Sequence, residues 1–112
     1  MEFADVEHTE QYRNLMGKAT AKDSESDWAA ALFLLSSPML ARRCAKHVKP
    51  RKISFTELME ETKPWSSSEK ALVRLAAALL NNSWKCDIND AFWSLDTDNT
   101  ELALEALRIR WQ

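Results

Sequence analysis

The chain has 112 residues, of which 46% are hydrophobic and 29% are charged, and its formal net charge is −2. This length and balance predict a single globular domain over residues 1–112 and exclude a disordered or collagen-like chain. Because one glycine and three prolines leave few residues for tight turns, the composition argues against a β-sandwich or barrel and predicts an all-α fold.

The first two helices are predicted in the N-terminal third. An amphipathic stretch over residues 5–16 is followed by Gly17, the one glycine, which is placed as a helix C-cap. After a polar connector, Ser24 with Asp27 has the pattern of a helix start before the segment Trp28–Leu35. Since that segment is apolar nearly all round, we expect it to be the central helix, surrounded by the others.

Two further helix starts follow in the middle of the chain. The sequence Ser36–Pro38 ends the second helix and begins a third, which Pro50 stops. The expected buried stripe of this third helix comprises Met39, Leu40, Cys44 and Val48. Ser54 and Glu57 form a capping-box pattern, which predicts a short fourth helix that closes before Pro64.

Three more helices are predicted toward the C-terminus. Ser66 and Glu69 form a second capping-box pattern, and the helix that follows ends at Asn81. Its apolar positions recur at helical spacing: Leu72, Leu75, Ala76 and Leu79. Asp87 can cap a short helix whose apolar stripe comprises Ile88, Ala91, Phe92 and Leu95. The sequence Asp98–Glu101 repeats the capping pattern before the last helix, so we expect a compact orthogonal bundle of six or seven short helices and no strand.

The two cysteines, Cys44 and Cys86, are too few for a disulfide framework, and the acidic N-terminus lacks the apolar core of a secretory signal. We therefore expect reduced thiols and a cytoplasmic protein. The longest uncharged stretch is shorter than the roughly 20 residues that a helix needs to cross a bilayer, so no membrane partner is predicted.

The charge distribution is the most informative functional feature. Six basic residues and no acidic one lie between residues 42 and 52, which we call the basic segment: Arg42, Arg43, Lys46, Lys49, Arg51 and Lys52. The remaining residues have nine basic against seventeen acidic side chains, a net of −8. Such a cluster can bind phosphates or steer an acidic protein surface, and a solvated helix face that balances the acidic remainder explains it equally well.

Metal and catalytic motifs are weak or absent. Cys44 and His47 have helical spacing, and Cys86 with His8 could complete a zinc site, but no second close-set pair supports it, so we predict no metal. The sequence from Asp96 resembles a calcium loop only superficially, because it lacks the loop's glycine and bidentate glutamate. Without a nucleophile elbow, a phosphate-binding glycine loop or a zinc-protease motif, we predict no enzyme and no cofactor.

Five tryptophans are many for this length. Trp28 lies in the apolar helix and is expected in the core. Three other tryptophans flank predicted helix ends: Trp65, Trp84 and Trp111. At such a position a half-exposed ring can serve as a partner contact or fill a gap between short helices. We take Trp65 as the candidate anchor.

Several motifs together resemble a known group of proteins. They are His8-x-x-x-Tyr12, Ala30–Leu35, Trp65–Glu69, Val73–Ala76, Leu79–Asn81 and Leu104–Arg110. This set spans most of the chain and resembles an uncharacterised family of small helical proteins carried by phages and prophages of Gram-positive bacteria. The family has no assigned activity, so the resemblance implies no functional residue. It implies a context in which small phage proteins bind host proteins, including components of CRISPR and other defence systems.

We therefore expect a non-enzymatic module that occupies the surface of a host protein through the basic segment, with Trp65 as anchor, in the manner of an anti-CRISPR inhibitor. A nucleic-acid-binding regulator that uses the same basic segment is the first alternative. A virion or assembly component that oligomerises through its tryptophan-rich ends is the second.

Overall fold

The computed structural model describes all 112 residues and contains seven α-helices and one short hairpin. The elements are α1 (Val6–Ala19), α2 (Ser26–Leu35), α3 (Ala41–Cys44), β1 (Val48–Lys49), β2 (Lys52–Ile53), α4 (Phe55–Glu61), α5 (Ser67–Leu80), α6 (Ile88–Trp93) and α7 (Thr97–Trp111). One 3-10 turn, Ala45–His47, joins α3 to β1. The predicted all-α class is confirmed, and the hairpin is a local departure from it. None of the helices is both long and apolar enough to cross a membrane.

Helix α2 lies at the centre of the core. Every residue from Trp28 to Leu35 is buried, and α2 packs against α5, α7 and α1. A helix that is covered by neighbours on several sides has no face for polar residues, which is why this segment is apolar nearly all round. The central position predicted for it is confirmed.

Helix α1 extends beyond the predicted end. Gly17 lies inside the helix, so its prediction as the C-cap is wrong. Thr20 ends the helix instead, in the left-handed conformation with φ 52°, and its N–H donates to the Gly17 carbonyl at 3.1 Å. The extra turn of the helix buries Ala19 completely in the core. The spacing of apolar residues in the sequence does not reveal this contact, because it depends on the tertiary packing.

Two predicted helix starts are displaced. Helix α2 has Glu25 at its N-cap position without a side-chain cap, so Ser24 is not the cap. Helix α7 begins earlier than predicted, because Asp96 caps it by accepting a hydrogen bond from the Asn99 N–H at 2.8 Å. Asp98 therefore lies in the first turn of α7, where the interaction of its negative charge with the helix dipole is favourable.

The third helix is much shorter than predicted. Beyond α3 and the 3-10 turn the chain forms a hairpin, in which Val48 pairs with Ile53. The two central turn residues are Pro50 and Arg51, and Arg51 adopts a left-handed conformation with φ 56°, as the second central position of a type II turn requires. Leu40, Cys44 and Val48 are buried as expected, whereas Met39 is 38% exposed.

Of the two predicted serine capping boxes, one forms and the other does not. The Ser66 box is confirmed, because Ser66 Oγ accepts from the Glu69 N–H at 3.3 Å and Glu69 accepts from the Ser66 N–H at 3.0 Å. The box predicted for Ser54 and Glu57 is wrong, since the Ser54 side chain makes no cap hydrogen bond. Ser54 follows β2 directly, its N–H is bonded to the His47 carbonyl at 2.9 Å, and its ψ of 69° falls short of the extended conformation typical of a cap.

This contrast predicts unequal stability effects for two chemically identical substitutions. Ser66→Ala removes a formed cap and should lower the free energy of unfolding by about 1 kcal/mol. Ser54→Ala removes no cap hydrogen bond and should leave it nearly unchanged. Urea denaturation followed by far-UV circular dichroism measures both variants, and equal losses would contradict the assignment of the caps.

Candidate functional site

The basic segment lies in α3, the 3-10 turn and the hairpin. Three of its cations form ion pairs with carboxylates elsewhere in the chain: Arg43, Lys46 and Arg51. The other three are exposed and pair with no carboxylate: Arg42, Lys49 and Lys52. The segment is therefore divided between side chains that hold the fold together and side chains that face solvent without a counter-charge.

Arg43 and the candidate anchor Trp65 contact each other. The Arg43 guanidinium lies over the Trp65 ring, 4.2 Å from the ring centroid, and is paired with Glu69. It also donates to the Met39 carbonyl at 2.7 Å. Because Glu69 belongs to the α5 capping box as well, these contacts tie α3 to the start of α5. Arg43 and the half-buried Trp65 are therefore both engaged in contacts within the protein.

Lys46 and the neighbouring His47 both contact Glu61 at the end of α4. The Lys46 Nζ lies 2.6 Å from Glu61 Oε1, and His47, which is buried, bonds through Nε2 to the other carboxylate oxygen. The hydrogen bonds from Lys46 and then from His47 hold the pKa of Glu61 below its usual range. This carboxylate therefore fastens the 3-10 turn to α4.

Arg51 links the hairpin turn to the start of α2. Its guanidinium forms a two-point hydrogen bond with Glu25, at 2.9 and 2.6 Å, which lowers the pKa of that carboxyl to about 2. The Arg51 N–H donates to the Ala19 carbonyl at 2.9 Å, and its guanidinium lies 5.1 Å from the Trp28 ring centroid. Arg51 thus connects three elements, which is a structural role.

Lys49 and Lys52 are direct partners across the hairpin, and both are exposed. Because successive strand residues point to opposite faces, the adjacent Val48–Ile53 pair packs on the core while these two lysines face away from it. Like charges directly opposite each other in an antiparallel pair are destabilising. We call these two residues the lysine pair; they form a positive patch that does not stabilise the fold.

A groove of about 490 Å³ lies beside the lysine pair, between β2, the start of α4 and the end of α5. We call it the hairpin groove. Lys52 is one of its lining residues, and its apolar lining includes Ile53, Phe55, Leu80 and Trp84. The rings of Phe55 and Trp84 lie 6.3 Å apart, and Trp84 is half-buried. Asp27 and Glu57 also line it, so the groove places an aromatic surface beside Lys52 and two carboxylates.

The tryptophans differ in exposure. Trp28 is buried as expected, whereas Trp111 is 69% exposed. The most exposed is Trp93, at 90%, which the sequence reasoning did not single out. Trp93 is not one of the four residues of the predicted α6 stripe, but that stripe was a weak signal, because its first member, Ile88, is itself 58% exposed and Ala91 is the one α6 residue that is buried.

The residues weighed as metal ligands lie in separate environments. Cys44 is buried, and burial raises its pKa to about 12, so it is a neutral thiol. His47 bonds to Glu61 and His8 bonds to the Phe33 carbonyl, so both rings are already engaged. No group of three or more His, Cys, Asp or Glu residues has the geometry to hold a metal ion.

His8 is buried in α1 and fastens the N-terminal residues to the core. Its Nδ1 accepts from the Ala4 N–H at 2.9 Å, so Nε2 carries the proton and donates to the Phe33 carbonyl at 2.8 Å. The Phe3 ring packs edge-on against the imidazole at 5.1 Å. Burial lowers the pKa of His8, because the cost of placing a positive charge in the core exceeds the opposing effects of the Phe33 carbonyl and the Asp5 carboxylate.

No protein-family model, curated protein or solved structure matches the chain.

The lowered pKa of His8 predicts a pH-dependent stability. His8 takes up a proton near pH 6.5 in the unfolded chain but only at lower pH in the folded protein. The contribution of neutral His8 to the free energy of unfolding is therefore complete above about pH 6.5 and is lost as the pH falls through the folded pKa. The free energy of unfolding should fall by up to about 1.4 kcal/mol per pH unit over this window.

Denaturation of the wild type and of His8→Gln between about pH 7 and about pH 5 measures this effect. His8→Gln should be less stable at neutral pH and should show a flatter pH dependence, because glutamine does not titrate. Parallel curves for the two proteins would contradict a buried neutral His8.

Proposed function

We propose that this chain is a non-enzymatic protein-binding module whose contact surface is the lysine pair together with the hairpin groove. The observation that carries the proposal is the placement of Lys49 opposite Lys52 on the exposed hairpin face, where neither lysine forms an ion pair. Their mutual repulsion costs the free protein stability and is relieved when an acidic group binds between them.

The adjoining groove supports a partner of defined chemistry. An acidic side chain at the lysine pair would bring neighbouring apolar side chains of the partner over Phe55 and Trp84. Buried aromatic contacts next to a charged rim are typical of energetically important interface positions. The proposed partner surface is therefore a protein segment that combines acidic and apolar residues, with Trp84 rather than Trp65 as the anchor.

The internal ion pairs favour a protein partner over nucleic acid. Of the six cations in the basic segment, only three remain without a counter-charge: Arg42, Lys49 and Lys52. Affinity for a phosphate backbone depends on the number of phosphates neutralised, so about three contacts give weak binding that salt readily removes. The remainder of the chain, at a net −8, would repel a backbone that approaches over a wide face.

A more specific role for such a module follows only from the resemblance expected from the sequence motifs. We propose that it acts in the host cytoplasm as an inhibitor of a defence system, in the manner of an anti-CRISPR protein, by covering a surface that the partner needs. Arg42, which is exposed and near in sequence, would extend the positive surface during encounter.

A charge-reversal experiment with a matched control tests the proposal. The immobilised wild type, Lys49→Glu/Lys52→Glu and Arg74→Glu/Lys85→Glu are each incubated with host-cell lysate, and the captured proteins are identified by mass spectrometry. Arg74 and Lys85 are also exposed cations without an ion pair, but they line a different groove, between α5 and α6. We expect the wild type and the control to capture the same partner, and the lysine-pair variant to lose it.

Two outcomes would contradict the proposal. Capture that is unchanged by reversal of the lysine pair would place the interface elsewhere. Submicromolar binding of a labelled DNA duplex or RNA strand at about 150 mM salt, lost in the same variant, would identify a nucleic-acid-binding protein instead.

A further inference from the structure

The outer edge of β2, which faces away from β1, carries backbone groups that the hairpin does not use. Hydrogen-bonded and non-hydrogen-bonded residue pairs alternate along an antiparallel pair of strands. The Ser54 N–H donates to the His47 carbonyl at 2.9 Å, so these two residues form a hydrogen-bonded pair, and the lysine pair is the next one along. The Val48–Ile53 pair between them is therefore not hydrogen-bonded, and the N–H and C=O of Ile53 point away from β1. The Val48 N–H likewise points out of the hairpin and donates to the Ala45 carbonyl.

The two backbone groups of Ile53 have no partner elsewhere in the protein. None of the backbone hydrogen bonds in turns, loops and caps uses the N–H or the C=O of Ile53, and no side chain bonds to either group. Ile53 is partly exposed and lines the hairpin groove. Backbone groups without a partner inside a protein bond to water or to another chain. The outer edge of β2 therefore offers one donor and one acceptor to a further strand at the groove.

The lysine pair determines which strand can pair with this edge. Successive strand side chains point to opposite faces, so Lys52 and Ile53 lie on different faces of the hairpin. A second copy of β2 added at the edge would bring four lysines onto one face of the enlarged sheet, which is destabilising. Lysines on short edge strands prevent self-pairing in this way. A strand with a carboxylate on the same face as Lys52 would instead be attracted, so charge complementarity selects an acidic partner.

The opposite face of such a strand would meet the hairpin groove. Its apolar lining includes Phe55 and Trp84, next to Ile53 itself. Asp27 and Glu57 also line the groove, so a carboxylate on this face would be repelled, whereas an aliphatic side chain would bury apolar surface. The two faces therefore select different residue types, acidic on the face of the lysine pair and apolar on the face of the groove.

We propose that the partner binds as an added strand: an extended segment with alternating acidic and apolar residues pairs antiparallel with the outer edge of β2. The inference rests on the proposed function, because it takes the lysine pair and the hairpin groove as the contact surface. An apolar residue opposite Ile53 exchanges both backbone hydrogen bonds with it, and the acidic residue next to it lies opposite Lys52. Main-chain bonds then supply affinity, and the alternating side chains supply specificity.

Synthetic peptides added to the full chain test strand addition. The probe is acetylated, amidated Thr-Glu-Val-Glu-Thr, and its matched control has a methyl group on the valine backbone nitrogen, which can no longer donate to the Ile53 carbonyl. Titrations are followed by backbone amide chemical shifts. We expect saturable shifts centred on residues 52–56 and about tenfold weaker binding of the methylated peptide. Equal affinity for the two peptides, or no saturation with the parent peptide, would overturn the proposal.

Amide hydrogen exchange at Ile53 measures the proposed bond itself. In the free protein the Ile53 N–H should exchange much faster than the Ser54 N–H, because only the latter is hydrogen-bonded. With the parent peptide at about ten times its Kd, exchange at Ile53 should slow by about tenfold, since the free fraction falls by that factor. Contact through side chains alone would not protect this amide, so unchanged exchange at Ile53 in the bound protein would contradict an added strand.

Two variants test the charge selection. Lys52→Gln should weaken binding of the parent peptide by about threefold, as the loss of an exposed ion pair does. Lys85→Gln removes an exposed cation outside the hairpin groove and should bind like the wild type. The peptide Thr-Lys-Val-Lys-Thr should bind more weakly than the parent to the wild type. Equal affinities of the acidic and basic peptides would contradict the charge selection.

The two proposals fail separately. Loss of lysate capture in Lys49→Glu/Lys52→Glu, with no protection of Ile53 by the peptide, would overturn the added strand and leave the proposed function standing. Protection of Ile53 by the parent peptide, with lysate capture unchanged by the charge reversal, would support strand addition and contradict the proposed function.

Discussion

The complete burial of α2 is the constraint on which the rest of the structure depends. A short helix with no polar face is stable only when other helices cover it, and α1, α5 and α7 do so. These three helices have 14 or 15 residues each, and their positions are fixed by the side chains that meet α2 and by contacts between the segments that connect them. The hairpin, which holds the lysine pair, lies in one such connecting segment, between α3 and α4.

Carboxylates fix several of these connections, which explains why the basic segment is only partly available for binding. Glu25, Glu61 and Glu69 each pair with one cation from residues 42–52. Each pair joins elements distant in sequence, and the Glu69 pair is combined with a helix cap. The separation of basic and acidic residues along the sequence therefore reflects, in part, ion pairs within the fold. Only the cations of the basic segment that form no such pair are available to bind a partner.

Local patterns in the sequence predicted much of the fold and less of the site. The apolar segment 28–35 and the Ser66 box depend on neighbouring residues alone, so both were predictable. The Ser54 box failed because β2 fixes the backbone at Ser54, and that strand depends on the left-handed turn at Arg51. The basic segment was recognised, but which of its cations are paired could not be, because Glu25, Glu61 and Glu69 approach it only through the tertiary fold.

Amide hydrogen exchange of the wild-type chain, measured residue by residue, tests the central role of α2 most directly. If the fold depends on the burial of this helix, the amides of residues 32–35 should exchange only through global unfolding, at the slowest rates in the protein. The amides of α6, which has only one buried residue, should exchange much faster. Exchange of residues 32–35 at rates as fast as those of α6 would contradict the account, because it would show that α2 opens while the rest of the structure persists.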